Sequence, residues 1–202
     1  MNIPPLCIVQ ARYKSTRLPH KMLLLLAGET LIARAVRIAS EAFGRGNVVV
    51  AIPNGDVGTP LWDELVRLNV AVFDWDGDEA DVLGRFYHCA HLYRWHPNTT
   101  IIRYTPDDPF KDVDSLRRVA GGERLPVEQG GEAFTLAELD MSMTDPRTVL
   151  WDPPEPPSPM GRREHLTYAL FSTLPPKSPV GQVWTIDTPE DYAAAQKLVG
   201  DA

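Results

Sequence analysis

The sequence predicts an α/β domain built around a mostly parallel sheet. Continuous apolar runs at residues 6–9 and 48–52 are typical of strands that are buried on both faces of such a sheet. Stretches with helical periodicity separate the apolar runs, so that about six strands alternate with helices along the chain. The 202 residues suit a single domain that spans 1–202.

Each element of this alternation has its own sequence signal. Apolar and β-branched runs predict strands at 6–9, 48–52, 70–73, 99–103 and 183–186, and a strand that passes into a helix within 131–139. Polar helix-start residues predict helices that begin at Thr30, Thr59, Asp81 and Thr188, with a further helix around 113–119. Residues 22–26 fit either a short strand or a turn, and the segments 120–132 and 145–161 are expected to be irregular.

The charges of the chain are unevenly distributed. The formal net charge of −7 argues against a nucleic-acid-binding protein, because phosphate contacts require a basic surface. Four cationic residues nevertheless follow the first strand closely: Arg12, Lys14, Arg17 and Lys21. A basic loop on an acidic chain favours a small anionic ligand, although a solvated loop without a ligand is the alternative.

A cytoplasmic location without membrane attachment is expected. The sequence has no run of about 18 apolar residues, and residues 1–5 lack the charged and apolar regions of a signal peptide. Cys7 and Cys89 lie among apolar residues and are expected to be buried, reduced thiols rather than a disulfide.

Two acidic segments raise the question of metal binding. Residues 74–81 begin a segment that lacks the glycine and the glutamate of a calcium-binding loop, so a solvated turn before a helix is favoured. Asp107 and Asp108 closely follow the predicted strand at 99–103, and carboxylates at the carboxyl end of a strand are well placed to hold a cation. An ordinary turn that leads into a helix is the alternative for these two residues.

Three motifs, in the same order along the chain, resemble those of the sugar cytidylyltransferases. These enzymes activate acidic sugars such as 3-deoxy-manno-octulosonate or sialic acid, and relatives act in spore-coat polysaccharide synthesis. The first motif reads Gln10-Ala11-Arg12-Tyr13-Lys14-Ser15-Thr16-Arg17-Leu18-Pro19-His20-Lys21, with His20 where the family usually has glycine. The second motif, within 103–109, contains Thr105-Pro106-Asp107-Asp108-Pro109, and the third, within 185–191, contains Asp187-Thr188-Pro189-Glu190-Asp191. With its strand, the first motif spans 8–21, and residues 79–87 also resemble a segment of the family.

The resemblance implies a fold and an activity. The implied fold is the three-layer αβα sandwich of the nucleotide-diphospho-sugar transferases, which is Rossmann-like. The implied reaction transfers CMP from CTP to a sugar hydroxyl and gives a CMP-sugar and pyrophosphate. It depends on magnesium, and the sugar is acidic in the members of the family named above.

The resemblance also assigns roles to individual residues. Arg12 and Lys21 are expected to hold the phosphates as the catalytic cations, and Asp107 and Asp187 are the expected magnesium ligands. The residues expected to bind the nucleotide are Gln10, Ala11, Arg12, Ser15, Arg17, Lys21 and Arg85, of which Gln10, Ala11 and Arg85 belong to the cytosine pocket.

Departures from the family pattern keep two alternatives open. Pro106 replaces a glycine, and the middle section that carries sugar-contacting and dimerising residues in the family is shortened between Val119 and Glu132. A glycosyltransferase of the same superfamily would use Asp74-x-Asp76 as its metal motif. A catalytically silent nucleotide-binding subunit is the other alternative, and a homodimer is left open.

Overall fold

The computed structural model describes residues 3–79, 81–144 and 184–200. The strands in these ranges are β1 (Leu6–Gln10), β2 (Leu25–Leu26), β3 (Glu29–Thr30), β4 (Val48–Pro53), β5 (Ala71–Trp75), β6 (Thr100–Tyr104) and β7 (Glu132–Thr135). The α-helices are α1 (Leu31–Phe43), α2 (Pro60–Leu68), α3 (Val82–Tyr93), α4 (Val113–Ala120), α5 (Val127–Gly130), α6 (Leu136–Thr144) and α7 (Pro189–Gly200). Short 3-10 turns lie at 21–23, 45–47 and 54–56.

Five of these strands form the main sheet, in the order β5-β4-β1-β6-β7. Neighbouring strands are parallel except at one edge, where β7 runs antiparallel to β6. The carboxyl ends of β1, β4 and β6 therefore meet at the same edge of the sheet. The basic loop of residues 12–21 leaves β1 at this edge, and Asp107 follows β6 at the same edge.

Helices cover both faces of the main sheet. Side chains alternate between the two faces of a strand, so Val48 and Val50 of β4 pack with α1, α2 and α4, whereas Val49 and Ala51 pack with α3 and α6. The residues of β4 are buried along its whole length, as expected for a central strand of a covered parallel sheet. This αβα sandwich with a mostly parallel sheet confirms the predicted fold class.

The helix starts follow the predicted signals with one difference. The Thr30 hydroxyl caps α1, since it accepts a hydrogen bond from Ala33 N at 3.1 Å. Asp81 caps α3 in the same way. Thr59 precedes α2 as predicted, but its hydroxyl donates to Asp56 O at 2.6 Å and does not cap the helix.

Two predictions about irregular or extended segments were wrong. The predicted strand at 183–186 is absent from its described part, 184–186, where Ile186 N–H donates to Asp107 O at 2.7 Å. That bond joins the segment to the loop after β6 instead of to a strand. Residues 120–132, predicted to be irregular, contain the single-turn helix α5. The proline-rich segment 145–161 lies outside the described residues.

A further apolar cluster packs residues 184–200 against the basic loop and the β2–β3 hairpin. Its buried members are Leu18, Leu26, Leu31, Ile186 and Ala195. The Tyr192 hydroxyl adds a hydrogen bond of 2.6 Å to Leu25 O. Residues 184–200 are therefore packed against the same edge of the sheet from which the basic loop leaves.

None of the helices in the described ranges is long and apolar enough to cross a membrane. Cys7 and Cys89 are buried and free, as predicted. Burial raises the pKa of both thiols well above the ordinary value, so both are held as neutral thiols within the core.

Candidate active site

The basic loop is held in shape by two contacts of Tyr13. Its backbone N–H donates to Asp56 Oδ2 at 2.7 Å, and its ring stacks on the ring of His20 with 4.2 Å between centroids. His20 lies in the left-handed region, with φ 56° and ψ 28°. A glycine adopts this conformation without strain. His20 adopts it beside an aromatic partner that stabilises the turn.

Lys21 connects the basic loop to two distant acidic residues. Its ammonium donates to Asp107 Oδ2 at 2.6 Å and to Asp187 Oδ1 at 2.9 Å. It also donates to Ile186 O at 3.3 Å. Asp107 and Asp187 are 80 residues apart in sequence, and one cation touches both of them. Although burial opposes the charged form, these two carboxylates raise the pKa of Lys21.

Arg17 completes what we call the charged cluster, which consists of Arg17, Lys21, Asp107 and Asp187. Its guanidinium lies 3.0 Å from Asp187 Oδ2. Two cationic and two anionic side chains therefore face one another at the carboxyl edge of the sheet. The carboxylates of Asp107 and Asp187 remain partly open to solvent, with side-chain exposures of 22% and 29%.

Asp187 is not needed to cap α7, because Thr188 and Asp191 cap that helix. Asp191 Oδ2 accepts from Thr188 N at 2.9 Å, and Asp191 N donates to the Thr188 hydroxyl at 3.2 Å. This reciprocal capping box satisfies the first turn of the helix. The Asp187 side chain points instead at Lys21 and Arg17.

Asp108, the neighbour of Asp107, has a different environment. It is only 4% exposed, and its carboxylate accepts from the hydroxyls of Thr105 and Thr185 at 2.5 and 2.6 Å. The buried ammonium of Lys111 also donates to it. Burial lowers the pKa of Lys111, while Asp108 opposes that shift. Asp107 therefore faces the charged cluster, and Asp108 faces the protein interior.

A second group of charged residues lies on the other side of the basic loop, near the carboxyl ends of β4 and β5. Arg12 is 3.5 Å from Glu79, and both side chains are about half exposed. Arg85 on α3 is 2% exposed and donates from Nη2 to Glu79 O at 2.7 Å. Its Nε and Nη1 atoms are buried and have no hydrogen-bond partner among the described residues. Burial lowers the pKa of Arg85 because desolvation disfavours its charge.

A pocket of about 270 Å³ opens next to this second group. Lys14 and Asn54 line it together with Asp56 and Glu79. Asp56 is buried, and burial raises the pKa of its carboxyl although the Tyr13 N–H opposes the shift. The pocket is therefore polar and is bordered by the basic loop on one side.

The remaining predicted residues lie at the start of the loop. The Gln10 side chain accepts from Arg103 Nε at 3.1 Å. Ala11 is buried, and its N–H already donates to Ala51 O at 3.1 Å. Ser15 is partly exposed on the loop. The structure thus brings Lys21, Arg17, Asp107 and Asp187 into contact, but it leaves Arg12 and Arg85 in the separate group around Glu79.

Sequence reasoning missed three residues that hold the site in place: Asp56, Lys111 and Thr185. Asp56 and Thr185 act through contacts across 43 and 77 residues that the local sequence does not encode, whereas Lys111 contacts Asp108 three residues away and carries no motif of its own. Asp74, the first residue of the alternative Asp-x-Asp motif, accepts from Asn54 Nδ2 at 3.2 Å on the exposed end of β5. Within the described ranges, no three His, Cys, Asp or Glu side chains converge as a metal-binding group.

The fold is that of the nucleotide-diphospho-sugar transferases. The structure is similar to that of a cytidylyltransferase from Leptospira borgpetersenii serovar Hardjo-bovis (strain JB197), with a TM-score of 0.73 and 22% sequence identity over 100% of this chain and 88% of that one. It is also similar to a nucleotidyl transferase from Methanothermobacter, with a TM-score of 0.65 and 16% identity over 98% of each chain. At these identities, the similarity concerns the fold.

Residues 6–122 match the sequence profile of the cytidylyltransferase family, and the chain belongs to that family. Over 145 residues it is 33% identical to the 3-deoxy-manno-octulosonate cytidylyltransferase of Stenotrophomonas maltophilia (strain R551-3). This match includes 72% of the present chain and 52% of the relative. The chain therefore spans about half the length of the curated relatives that it matches.

Proposed function

We propose that this protein transfers CMP from CTP to a sugar hydroxyl and releases pyrophosphate. Membership of the cytidylyltransferase family supports the nucleotide and the reaction type. The observation that carries the proposal is the contact of Lys21 with both Asp107 and Asp187. A cation from the basic loop and two carboxylates from distant segments converge where the substrate phosphates would bind.

The reaction requires positive charge around the triphosphate. The sugar hydroxyl oxygen attacks the α-phosphorus, the bond from that phosphorus to the pyrophosphate oxygen breaks, and the hydroxyl proton passes to solvent. Negative charge on the phosphate oxygens is present throughout this transfer and must be stabilised by positioned cations. We assign this role to Lys21 and Arg17, and we keep Arg12 as a further cation that reaches the nucleotide from the other side of the loop.

The donor set fits magnesium. Asp107 and Asp187 are carboxylates that are both partly open to solvent and both within hydrogen-bond reach of one cationic nitrogen. Magnesium prefers oxygen ligands and typically uses one or two protein carboxylates together with substrate phosphates, so two aspartates are sufficient. When bound, magnesium would supply charge stabilisation at the phosphates. Lys21 contacts both carboxylates, and Arg17 contacts Asp187, so the cluster holds two cations and two anions.

We assign binding of the nucleotide's base to the pocket beside the second group of charged residues. The pocket of about 270 Å³ beside Lys14 and Asn54 lies next to the carboxyl end of β4. Arg85 has two buried nitrogens without a hydrogen-bond partner among the described residues, and such donors are costly unless a ligand satisfies them. We therefore assign Arg85 to recognition of the nucleotide.

The acceptor is proposed to be a sugar, and acidic sugars are the first to test. The relative from Stenotrophomonas maltophilia is named for such a sugar, 3-deoxy-manno-octulosonate. A cytoplasmic location, where nucleoside triphosphates are available, fits the proposed activity. The single domain over 1–202 and the homodimer stay predictions.

The deciding experiment measures pyrophosphate release from CTP in the presence of magnesium and a panel of acidic and neutral sugars. Release that requires both CTP and one sugar supports the proposal. A glycosyltransferase would instead consume a nucleotide sugar, and a silent subunit would bind CTP without releasing pyrophosphate. Replacing CTP by the other three nucleoside triphosphates in parallel reactions tests the choice of base.

A further inference from the structure

Asp108 is a buried residue at which three side chains meet. Its carboxylate accepts hydrogen bonds from Thr105, Lys111 and Thr185. Asp108 is 4% exposed, and both of its carboxylate oxygens are already engaged by protein donors, so the structure gives it no contact to offer a bound nucleotide or sugar. Asp108 must therefore act through the residues that it binds.

Thr185 belongs to the segment that carries Asp187, and Asp108 belongs to the loop that carries Asp107. The Thr185 hydroxyl donates to Asp108 Oδ1 at 2.6 Å across 77 residues of sequence. One residue further along, Ile186 N–H donates to Asp107 O at 2.7 Å. Residues 184–186 do not form a strand, so these two bonds replace a sheet ladder in aligning the two segments.

Lys111 binds Oδ2 of the Asp108 carboxylate, whereas Thr185 binds Oδ1. Its side chain is fully buried, and its ammonium lies 5.2 Å from the centre of the Tyr104 ring. Removing an ion pair from water costs free energy that the attraction between the charges repays only with good geometry. A buried pair of this kind is therefore poorly explained by stability alone, whereas it holds a carboxylate in one orientation.

We propose that Lys111, Asp108 and Thr185 form a brace that sets the relative position of Asp107 and Asp187. Asp108 and Thr185 are positioning residues, since they act through the two neighbouring carboxylates and do not touch the reacting atoms. The proposal rests on the proposed function of the charged cluster. It predicts that loss of the Thr185 hydroxyl increases amide exchange in the segment that carries Asp187 and lowers kcat/KM for CTP.

The test compares Thr185→Val with Thr105→Val. Valine has nearly the shape of threonine and replaces the hydroxyl by a methyl group that cannot donate a hydrogen bond. Both hydroxyls bind the same Asp108 carboxylate, but Thr105 lies three residues away on the same loop and does not link the two segments. Thr105→Val is therefore the matched control. Thr185→Ser, which restores the hydroxyl, is the rescue variant.

Two quantities are measured on each variant. The first is amide hydrogen exchange of residues 184–187 without nucleotide, and the second is the dependence of pyrophosphate release on CTP concentration. For Thr185→Val we expect exchange at Ile186 to rise and kcat/KM for CTP to fall, each by about tenfold, the size expected for loss of a hydrogen bond to a charged group. In Thr105→Val and Thr185→Ser, the exchange rate at Ile186 and kcat/KM for CTP should both remain within about threefold of the original protein.

Equal exchange at Ile186 in Thr185→Val and Thr105→Val would overturn the brace. If Thr185→Val does not fold, Thr185→Ala gives the same comparison without a methyl group in place of the hydroxyl. If the original protein releases no pyrophosphate from CTP, the proposed function has failed. The exchange comparison still decides whether Thr185 links the two segments, because it requires no turnover.

Discussion

The ammonium of Lys21 lies 2.6 Å from Asp107 Oδ2, although 86 residues separate the two in sequence. The same nitrogen reaches Asp187 at 2.9 Å. These contacts raise the pKa of Lys21 despite its burial, so its charged form is favoured in the folded protein. The positive charge of Lys21 offsets the repulsion between the two carboxylates that it contacts.

Replacing Lys21 by methionine tests the charged cluster. Lys21→Met removes the cation that faces the phosphates, and we expect pyrophosphate release to fall by about 100-fold or more, the size seen when one positioned donor is removed. Lys197→Met is the comparison, because Lys197 is an exposed lysine on α7 outside the charged cluster and the proposed nucleotide pocket. Retention of the original kcat in Lys21→Met would exclude Lys21 from catalysis.

Asp187 and Thr188 are adjacent, but their substitutions are expected to have different effects. Asp187→Asn removes a charge from the cluster and should reduce turnover by about 100-fold with little change in unfolding free energy. Thr188→Ala removes half of the capping box and should cost about 1 kcal/mol of unfolding free energy while turnover is kept. Urea unfolding and pyrophosphate release, measured on both variants, provide the comparison. Turnover in Asp187→Asn as high as in Thr188→Ala would exclude Asp187 from catalysis.

His20 is expected to respond differently to glycine and to alanine. Glycine relieves the left-handed conformation at φ 56°, a gain of about 1 kcal/mol, but loses the ring contact with Tyr13, which is worth a similar amount. Unfolding free energy of His20→Gly should therefore stay within about 1 kcal/mol of the original value. His20→Ala keeps the strain and loses the contact, so it should be the less stable variant by about 1 kcal/mol in urea unfolding. Equal stability of the two variants would show that the backbone conformation at this position carries no strain.

The sequence predicts the sheet and most helices because burial patterns and caps are local. The apolar runs at 6–9 and 48–52 are buried on both faces as their composition requires, and Thr30 caps the helix that its position suggests. The segment 183–186 has the same β-branched character, yet its described part finds no neighbouring strand. Pairing depends on tertiary position, which the local pattern does not contain.

The site is only partly visible in the sequence for a related reason. The motifs predict that Lys21, Asp107 and Asp187 belong to one site, and these three residues are in contact. The motifs do not reveal that Arg17 reaches the cluster while Arg12 pairs with Glu79, since both arginines lie on one loop whose path is set by Tyr13 and its partners. The different orientations of the adjacent Asp107 and Asp108 depend partly on Lys21 and Thr185, which are distant partners in the sequence.

The pH dependence of stability should reflect Asp56. Burial raises the pKa of its carboxyl above the unfolded value, so folding favours the protonated form. The contribution of this group to stability is therefore present below the ordinary aspartate pKa and is lost as the pH rises through the folded pKa. In Asp56→Asn this loss is absent, so the stability of the variant relative to the original protein should increase as the pH rises over that range. Urea unfolding at a series of pH values gives the difference, and a difference that stays constant with pH would contradict this assignment.

Arg85 should show a conflict between stability and binding. Its guanidinium is 2% exposed, and two of its nitrogens lack a hydrogen-bond partner among the described residues. The cost of this burial is seen in the lowered pKa of the group. Replacing a poorly satisfied buried charge by an apolar side chain of similar size is often stabilising, so Arg85→Met is expected to raise the unfolding free energy by about 1 kcal/mol or more.

The same substitution should weaken the protein's affinity for CTP. In the proposed function, the two nitrogens of Arg85 that lack a partner among the described residues donate hydrogen bonds to the nucleotide. Methionine cannot donate these bonds, so the Kd for CTP should rise by about tenfold or more in Arg85→Met. Arg12→Met is the comparison, since Arg12 pairs with the same Glu79 but is about half exposed, and its loss should leave the unfolding free energy nearly unchanged. Calorimetric titration with CTP and urea unfolding measure the two quantities on each variant. A more stable Arg85→Met with unchanged CTP affinity would show that the buried guanidinium serves neither binding nor stability, and the assignment of the base to this side of the basic loop would fail.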